Sequence, residues 1–79
     1  MRARVYVTLK PSVFDPQGRV VADALHSLGY GDVRDVRQGK FFEVELDGDD
    51  RAAAETRVAE MAATLLANPV IESYRVEVL

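Results

Sequence analysis

The spacing of apolar residues switches between two and about 3.6 along the chain, and this order constrains the fold more than any other feature. Apolar and polar side chains alternate over residues 5–9, which is typical of a strand with one buried face. A helical period follows over residues 16–28. Asp15 and Pro16 suit the N-cap and first turn of that helix, and Gly29 suits its C-terminal end.

The middle of the chain predicts a hairpin. Residues 41–46 alternate strictly, whereas Val33 and Val36 are three positions apart, so the partner strand over residues 33–37 needs a bulge. Gln38-Gly39 is a plausible tight turn between the two strands, because glycine tolerates a positive φ. A single long, bent strand is the alternative interpretation of this region.

The last part of the chain repeats the helix-then-strand order. A helical apolar stripe extends from Ala54 to Leu66 and ends at Asn68-Pro69, after which residues 74–78 alternate again. The full order β-α-β-β-α-β predicts an α+β, ferredoxin-like two-layer sandwich, with an antiparallel sheet and both helices on one face. We expect one domain over residues 1–79.

The core of such a fold is thin, and we expect a dimer or a larger oligomer. Hydrophobic residues make up 48% of the chain, but ten of the 79 residues are alanine, and there is no cysteine to form a disulfide or a thiolate metal site. The uncovered sheet face would carry Tyr6, Phe41 and Ile71, which a second copy or a partner would cover.

Charge and hydropathy argue against nucleic-acid and membrane binding. The net charge of −3 disfavours contact with phosphates, although Arg34, Arg37 and Lys40 form a local basic cluster beside Phe41 and Phe42. No apolar run approaches the ~20 residues that span a bilayer, and the first residues lack the layout of a signal peptide. Together with the absence of cysteine, this favours a cytoplasmic protein.

Few residues suggest chemistry. His26 is the only histidine, and no nearby nucleophile or carboxylate marks it as a general base, although an enzyme that uses His26 is one alternative. The acidic residues between 43 and 50 lack the spacing of a calcium loop, and the glycines form no phosphate-binding motif. The sequence therefore predicts no catalytic residue, no cofactor site and no metal site in this chain.

Five short segments, spread in order over residues 5–72, resemble the PurS family, the small subunit of phosphoribosylformylglycinamidine synthase. The matching segments are VYVTLKP (5–11), DPQG (15–18), ALHSLG (24–29), VRQGK (36–40) and LLANPVIE (65–72). The resemblance implies a complex that makes purines by converting formylglycinamide ribonucleotide to its amidine. A synthetase subunit would hold ATP, Mg²⁺ and substrate, and a glutaminase subunit would supply ammonia.

The resemblance also implies that the small subunit brings the synthetase and the glutaminase together, aids ammonia transfer and associates with itself. Surface loops are suited to such docking, so we expect partner contacts in two segments, residues 10–18 and 37–40. The alternative function is a small-molecule-sensing regulatory domain, since sheets of this type often dimerise around an effector. The candidate partner-contact residues are Lys10, Pro11, Asp15, Gln17, Gly18, Arg37, Gln38, Gly39 and Lys40.

Overall fold

The computed structural model describes residues 1–79 as an α+β, ferredoxin-like chain with an antiparallel sheet. Three strands lie in the order β2-β1-β3, so β1 is central and the other two are edge strands. A π-helical segment directly continues the second helix. The elements are β1 (Arg2–Leu9), α1 (Pro16–Ser27), β2 (Gly39–Glu45), α2 (Arg51–Met61), the π-helical segment (Ala62–Leu66) and β3 (Glu72–Val78).

The pairing register explains why one face of β1 is buried. Val5 lies opposite Phe42 of β2 and Val76 of β3, so apolar side chains meet across all three strands. Successive strand residues point to opposite faces, which places Ala3, Val5 and Val7 together beneath the sheet. All three side chains are fully buried, as the alternation in the sequence predicts.

The core lies between this face and α2. Val58 of α2, Ala62 of the π-helical segment and Ala67 pack against the buried residues of β1. The largest fully buried side chains are valines, which confirms the prediction of a thin core. At the start of α2, one carboxylate oxygen of Asp50 accepts hydrogen bonds from the backbone N–H groups of residues 52 and 53, at 3.1 and 3.2 Å.

The end of the second helix differs from the predicted regular stripe. The backbone N–H of Ala67 donates to the carbonyl of Ala62 five residues earlier, at 2.9 Å. Ala62 stays in the core, but the wider turn rotates Leu65 off the face that α2 buries. Leu65, which the sequence analysis placed in the apolar stripe, is consequently 82% exposed.

The first helix lies outside the core, which corrects the expectation that both helices cover the sheet. α1 makes only marginal contact with the sheet, and none of its residues belongs to the core cluster. Its predicted apolar stripe is largely open, with Val20 67% and Leu28 74% exposed. The chain is 48 Å long and 14 Å thick, and its radius of gyration of 15.8 Å exceeds the roughly 12 Å of a compact chain of this length.

The strand predicted over residues 33–37 does not form, so the sheet has three strands where the sequence analysis expected four. The segment runs alongside α1 as irregular backbone. The ring of His26 hydrogen-bonds the carbonyl oxygen of Val33, and the carbonyl of Val36 lies against Gly18. The segment is thus held beside α1 by these contacts and not by pairing with a strand.

Candidate functional site

Two segments that are distant in sequence meet at the base of α1. They are residues 10–18 and residues 36–39, which together are called the loop junction below. Asp15 lies at its centre with 5% of its surface exposed. Its Oδ1 atom accepts from the backbone N–H of Gly18 at 2.9 Å, and Oδ2 accepts from the backbone N–H of Gln38 at 2.7 Å. One carboxylate therefore joins both halves of the junction.

These contacts keep Asp15 ionised. The hydrogen bonds from the backbone N–H groups of Gly18 and Gln38 lower the pKa of its carboxyl below the ordinary value of 3.8, and the Arg37 guanidinium adds to this effect. Burial acts in the opposite direction but does not prevail. At neutral pH the junction consequently contains a fixed negative charge that is satisfied within the chain.

Arg37 makes a second connection across the junction. Its Nη2 atom donates to the carbonyl oxygens of Lys10 at 3.0 Å and Val13 at 2.8 Å. The side-chain amides of Gln38 and Gln17 add a third connection, with 3.1 Å between Nε2 and Oε1. Arg37 was predicted from the sequence to contact a partner. The structure instead engages the guanidinium in holding the two segments together.

Glycine is required at two points of the junction because the backbones nearly touch. A Cβ atom on Gly18 would overlap the carbonyl oxygen of Val36, and one on Gly39 would overlap the carbonyl oxygen of Val7. Neither glycine has a positive φ, so the reason is space and not backbone conformation. A glycine in the first turn of a helix was the only sequence signal of this close approach.

The remaining candidate partner residues are placed less centrally. Pro11 lies exposed in the turn that follows β1. Lys40 points away from the Asp15 cluster, since its Nζ atom is 3.6 Å from a carboxylate oxygen of Glu72 at the start of β3. That carboxylate also accepts from the backbone N–H of Asn68 at 2.7 Å. The structure thus gathers eight of the nine candidates in one region and assigns Lys40 to a link between β2 and β3.

The uncovered sheet face is aromatic at its centre and charged around it. The rings of Tyr6 and Phe41 lie with centroids 5.2 Å apart, and the guanidinium of Arg75 sits 4.3 Å above the Tyr6 ring. Glu77 accepts from the Tyr6 hydroxyl at 3.4 Å and pairs with Arg4 at 3.5 Å. The sequence analysis missed this charged surround, although alternation along β1 and β3 places Arg4, Arg75 and Glu77 on the outward side.

The third residue expected on that face is placed differently. Ile71 lies in the turn before β3 and is partly exposed, and its carbonyl accepts from the backbone N–H of Lys10 at 2.8 Å. Because it precedes the strand, the alternation of β3 does not fix the side to which its side chain points. The aromatic pair of Tyr6 and Phe41 is therefore the apolar part of the open sheet face that the structure supports.

Other candidate chemistry is sparse. The His26 ring bonds the carbonyl oxygen of Val33, which ties the C-terminal end of α1 to the following coil. No group of three or more histidine, aspartate or glutamate side chains is arranged so that it could hold a metal ion. Neither helix combines the length and the apolar character that crossing a bilayer requires.

Comparison with known proteins extends along almost the whole chain. Residues 2–79 match the PurS family model, which is described as phosphoribosylformylglycinamidine (FGAM) synthase. The PurS subunit of this synthase from Bacillus subtilis (strain 168) is 52% identical over 77 residues, which are 98% of this chain and 90% of that protein. The corresponding subunit from Archaeoglobus fulgidus is 42% identical over 76 residues, covering 96% and 95% of the two chains.

Solved structures agree with the sequence matches. The C2 crystal form of Bacillus subtilis PurS superposes with a TM-score of 0.82 at 51% identity, covering 96% of this chain and 94% of that one. A structure of PurLQS from Thermotoga maritima superposes with a TM-score of 0.88 at 28% identity, covering 99% and 95%. Sequence and fold therefore agree over nearly every residue, and the chain belongs to the PurS family.

Proposed function

We propose that this chain is the non-catalytic assembly subunit of the phosphoribosylformylglycinamidine synthase complex in cytoplasmic purine biosynthesis. In this role it brings an ATP-dependent synthetase subunit and a glutaminase subunit together, so that ammonia from glutamine reaches formylglycinamide ribonucleotide. ATP and Mg²⁺ bind to the synthetase, and this chain carries no cofactor. The relatives named as subunits of this synthase and the similarity to PurLQS support the proposal.

The observation that carries the proposal is the amount of apolar surface this small chain leaves uncovered. Only ten of its 79 residues are buried, while Val20 on α1, Leu28 directly after it and Phe41 on the sheet are at least half exposed. Exposed apolar surface of this extent on a small domain is typical of an interaction site. A second copy of the chain and the two larger subunits are the proposed partners that cover it.

The open sheet face and the loop junction are suited to different partners. The open sheet face around Tyr6 and Phe41 combines aromatic rings with paired charges, a composition typical of protein interfaces, and is proposed as the self-association surface together with Ile71. The loop junction is proposed to contact the larger subunits, because its backbone is firmly held and the side chains of Phe14 and Val20 beside it are exposed. A docking surface that is already ordered loses little conformational entropy on binding.

Reconstitution tests the proposed function. Purified chain is mixed with the matching synthetase and glutaminase, and the molar mass of the mixture is measured by light scattering alongside product formation. We expect a complex that contains all three proteins. Omitting the chain should abolish most glutamine-driven synthesis but leave ammonia-driven synthesis intact, because free ammonia needs no assembly. Equal glutamine-driven rates with and without the chain would reject the proposal.

A further inference from the structure

We infer that Asp15 is a positioning residue of the assembly, whose two carboxylate oxygens, together with the Arg37 guanidinium, fix the direction of α1 relative to the sheet for docking of the larger subunits. The inference rests on the proposed function and adds to it the device by which the docking surface keeps its shape. It concerns a role through other groups, since Asp15 itself is almost completely buried.

The hydrogen bonds of Asp15 exceed what a helix cap requires. Capping needs one side-chain oxygen that accepts from a backbone N–H in the first turn, and Oδ1 does this for Gly18. Oδ2 instead reaches the backbone N–H of Gln38, 23 residues away in sequence. Asp50, the cap of α2, offers a contrast, because it is exposed and a single oxygen serves its whole cap.

The connections of the junction matter because little else holds α1. The helix makes only marginal contact with the sheet and contributes nothing to the core cluster. Apart from the His26 bond at its far end, its orientation depends on the Asp15–Gln38 and Gln17–Gln38 bonds, the two bonds from Arg37 and the close approach of Gly18 to Val36. All except the His26 bond lie at the N-terminal end of α1.

The coil that His26 contacts is not part of the sheet, so the connections of α1 towards the sheet lie at its N-terminal end, where a small change in angle is magnified along the helix. The 12 residues of α1 span about 18 Å at a rise of about 1.5 Å per residue. A rotation of about 15° at the base would therefore displace the other end by about 5 Å, which is a full helical turn. Leu28 follows that end and is exposed. The exposed apolar stripe and the loop junction can therefore contact the same partner only if the hydrogen bonds of the junction keep α1 in its direction.

The test separates capping from bridging. Asp15→Ser keeps a hydroxyl oxygen that can cap α1 but loses the second oxygen that reaches the Gln38 N–H. Asp50→Ser is the matched control, since a single oxygen caps α2 and a serine can replace it. Each variant is titrated into a mixture of the synthetase and glutaminase. The mass of the complex and the rates of glutamine-driven and ammonia-driven synthesis are measured at each step. Far-UV circular dichroism shows whether each variant is folded.

We expect Asp15→Ser to need at least tenfold more chain for half-maximal glutamine-driven synthesis, with the same maximal rate at saturation and unchanged ammonia-driven synthesis. Asp50→Ser should match the wild type. Wild-type titration by a folded Asp15→Ser, or an equal loss in Asp50→Ser, would overturn the inference. If Asp15→Ser does not fold, Arg37→Gln decides in the same way, because its side chain is exposed and its loss removes two connections. Failure of the wild-type chain to form a complex would instead reject the proposed function.

Discussion

At the scale of single residues, Gly18 is the most crowded of the five glycines. A Cβ there would overlap the backbone carbonyl of Val36 and approach Oδ2 of Asp15 to 2.9 Å. A backbone carbonyl cannot rotate away as the end of a flexible side chain can. The close packing of α1 against residues 36–38 therefore depends on the missing side chain.

Replacing this glycine gives the first prediction at this scale. Gly18→Ala should lower the free energy of unfolding by about 1–3 kcal/mol, because overpacking outweighs the better helix propensity of alanine. Gly31→Ala is the control, since a Cβ at Gly31 meets open space and its φ is not positive. It should change stability by at most about 0.5 kcal/mol in urea unfolding. Equal unfolding midpoints for the two variants would contradict the steric argument.

The second residue-scale prediction concerns pH. The pKa of Asp15 lies lower in the folded chain than the ordinary 3.8, so its ionised form favours folding. This contribution is complete above about pH 4 and is lost as the pH falls through the lowered pKa of the folded state. Asp15→Asn should therefore be less stable than the wild type at pH 7, and the gap should narrow steadily below pH 4. Thermal unfolding of both proteins between pH 2 and 7 measures this difference in stability. A difference that does not change with pH would exclude the ionised carboxylate as its cause.

Asp15 also marks how far sequence reasoning reaches at this scale. The pair Asp15-Pro16 predicts a helix N-cap, and the bond to the Gly18 N–H confirms it, because capping is a local interaction over three residues. The bond to the Gln38 N–H was not foreseen. It depends on how two loops approach each other, and no local pattern encodes that distance.

At the scale of elements, periodicity predicts those that bury a face and fails where burial is absent. The strand predicted at residues 41–46 forms as β2 over Gly39–Glu45, so the predicted turn at Gln38-Gly39 is wrong, and the stripe of Ala54 and Val58 appears as expected; β2 and this stripe pack against the core. Residues 33–37 do not form a strand, because their irregular spacing offers no consistent apolar face; the Val33 carbonyl instead bonds His26 of α1. The stripe of α1 predicted the helix correctly but not its exposure, since a stripe alone does not identify what covers it.

The open stripe of α1 gives the prediction at this scale. The double substitution Val20→Ser and Leu28→Ser should weaken association with the larger subunits while leaving the unfolding temperature of the isolated chain within about 2 °C, because both side chains are largely exposed. Leu65→Ser is the control, an equally exposed leucine on the π-helical segment. Light scattering of the reconstituted mixture measures association. If the double variant assembles like the control, α1 is not a docking element.

At the scale of the whole molecule, the elongated shape is consistent with membership of a family of complex subunits. The chain is 48 Å long and 14 Å thick, and its accessible surface of 5713 Å² is about one fifth larger than the roughly 4,800 Å² of a compact domain of equal mass. The fold keeps a small core between α2 and the sheet and extends α1 beyond it, with the loop junction at the base of that extension. Such an arrangement suits a subunit of phosphoribosylformylglycinamidine synthase whose proposed task is to contact two larger proteins at once.

The valine and alanine core has a consequence for how much of this protein a cell retains. With nothing larger than valine fully enclosed, we expect the unassembled chain to open more often than a domain with a larger core and to be more accessible to proteases. Bound copies are protected because binding lowers the population of the open form. Copies of this chain made in excess of its partner subunits would then be degraded. The small core would in this way keep the amount of the subunit close to that of its partners.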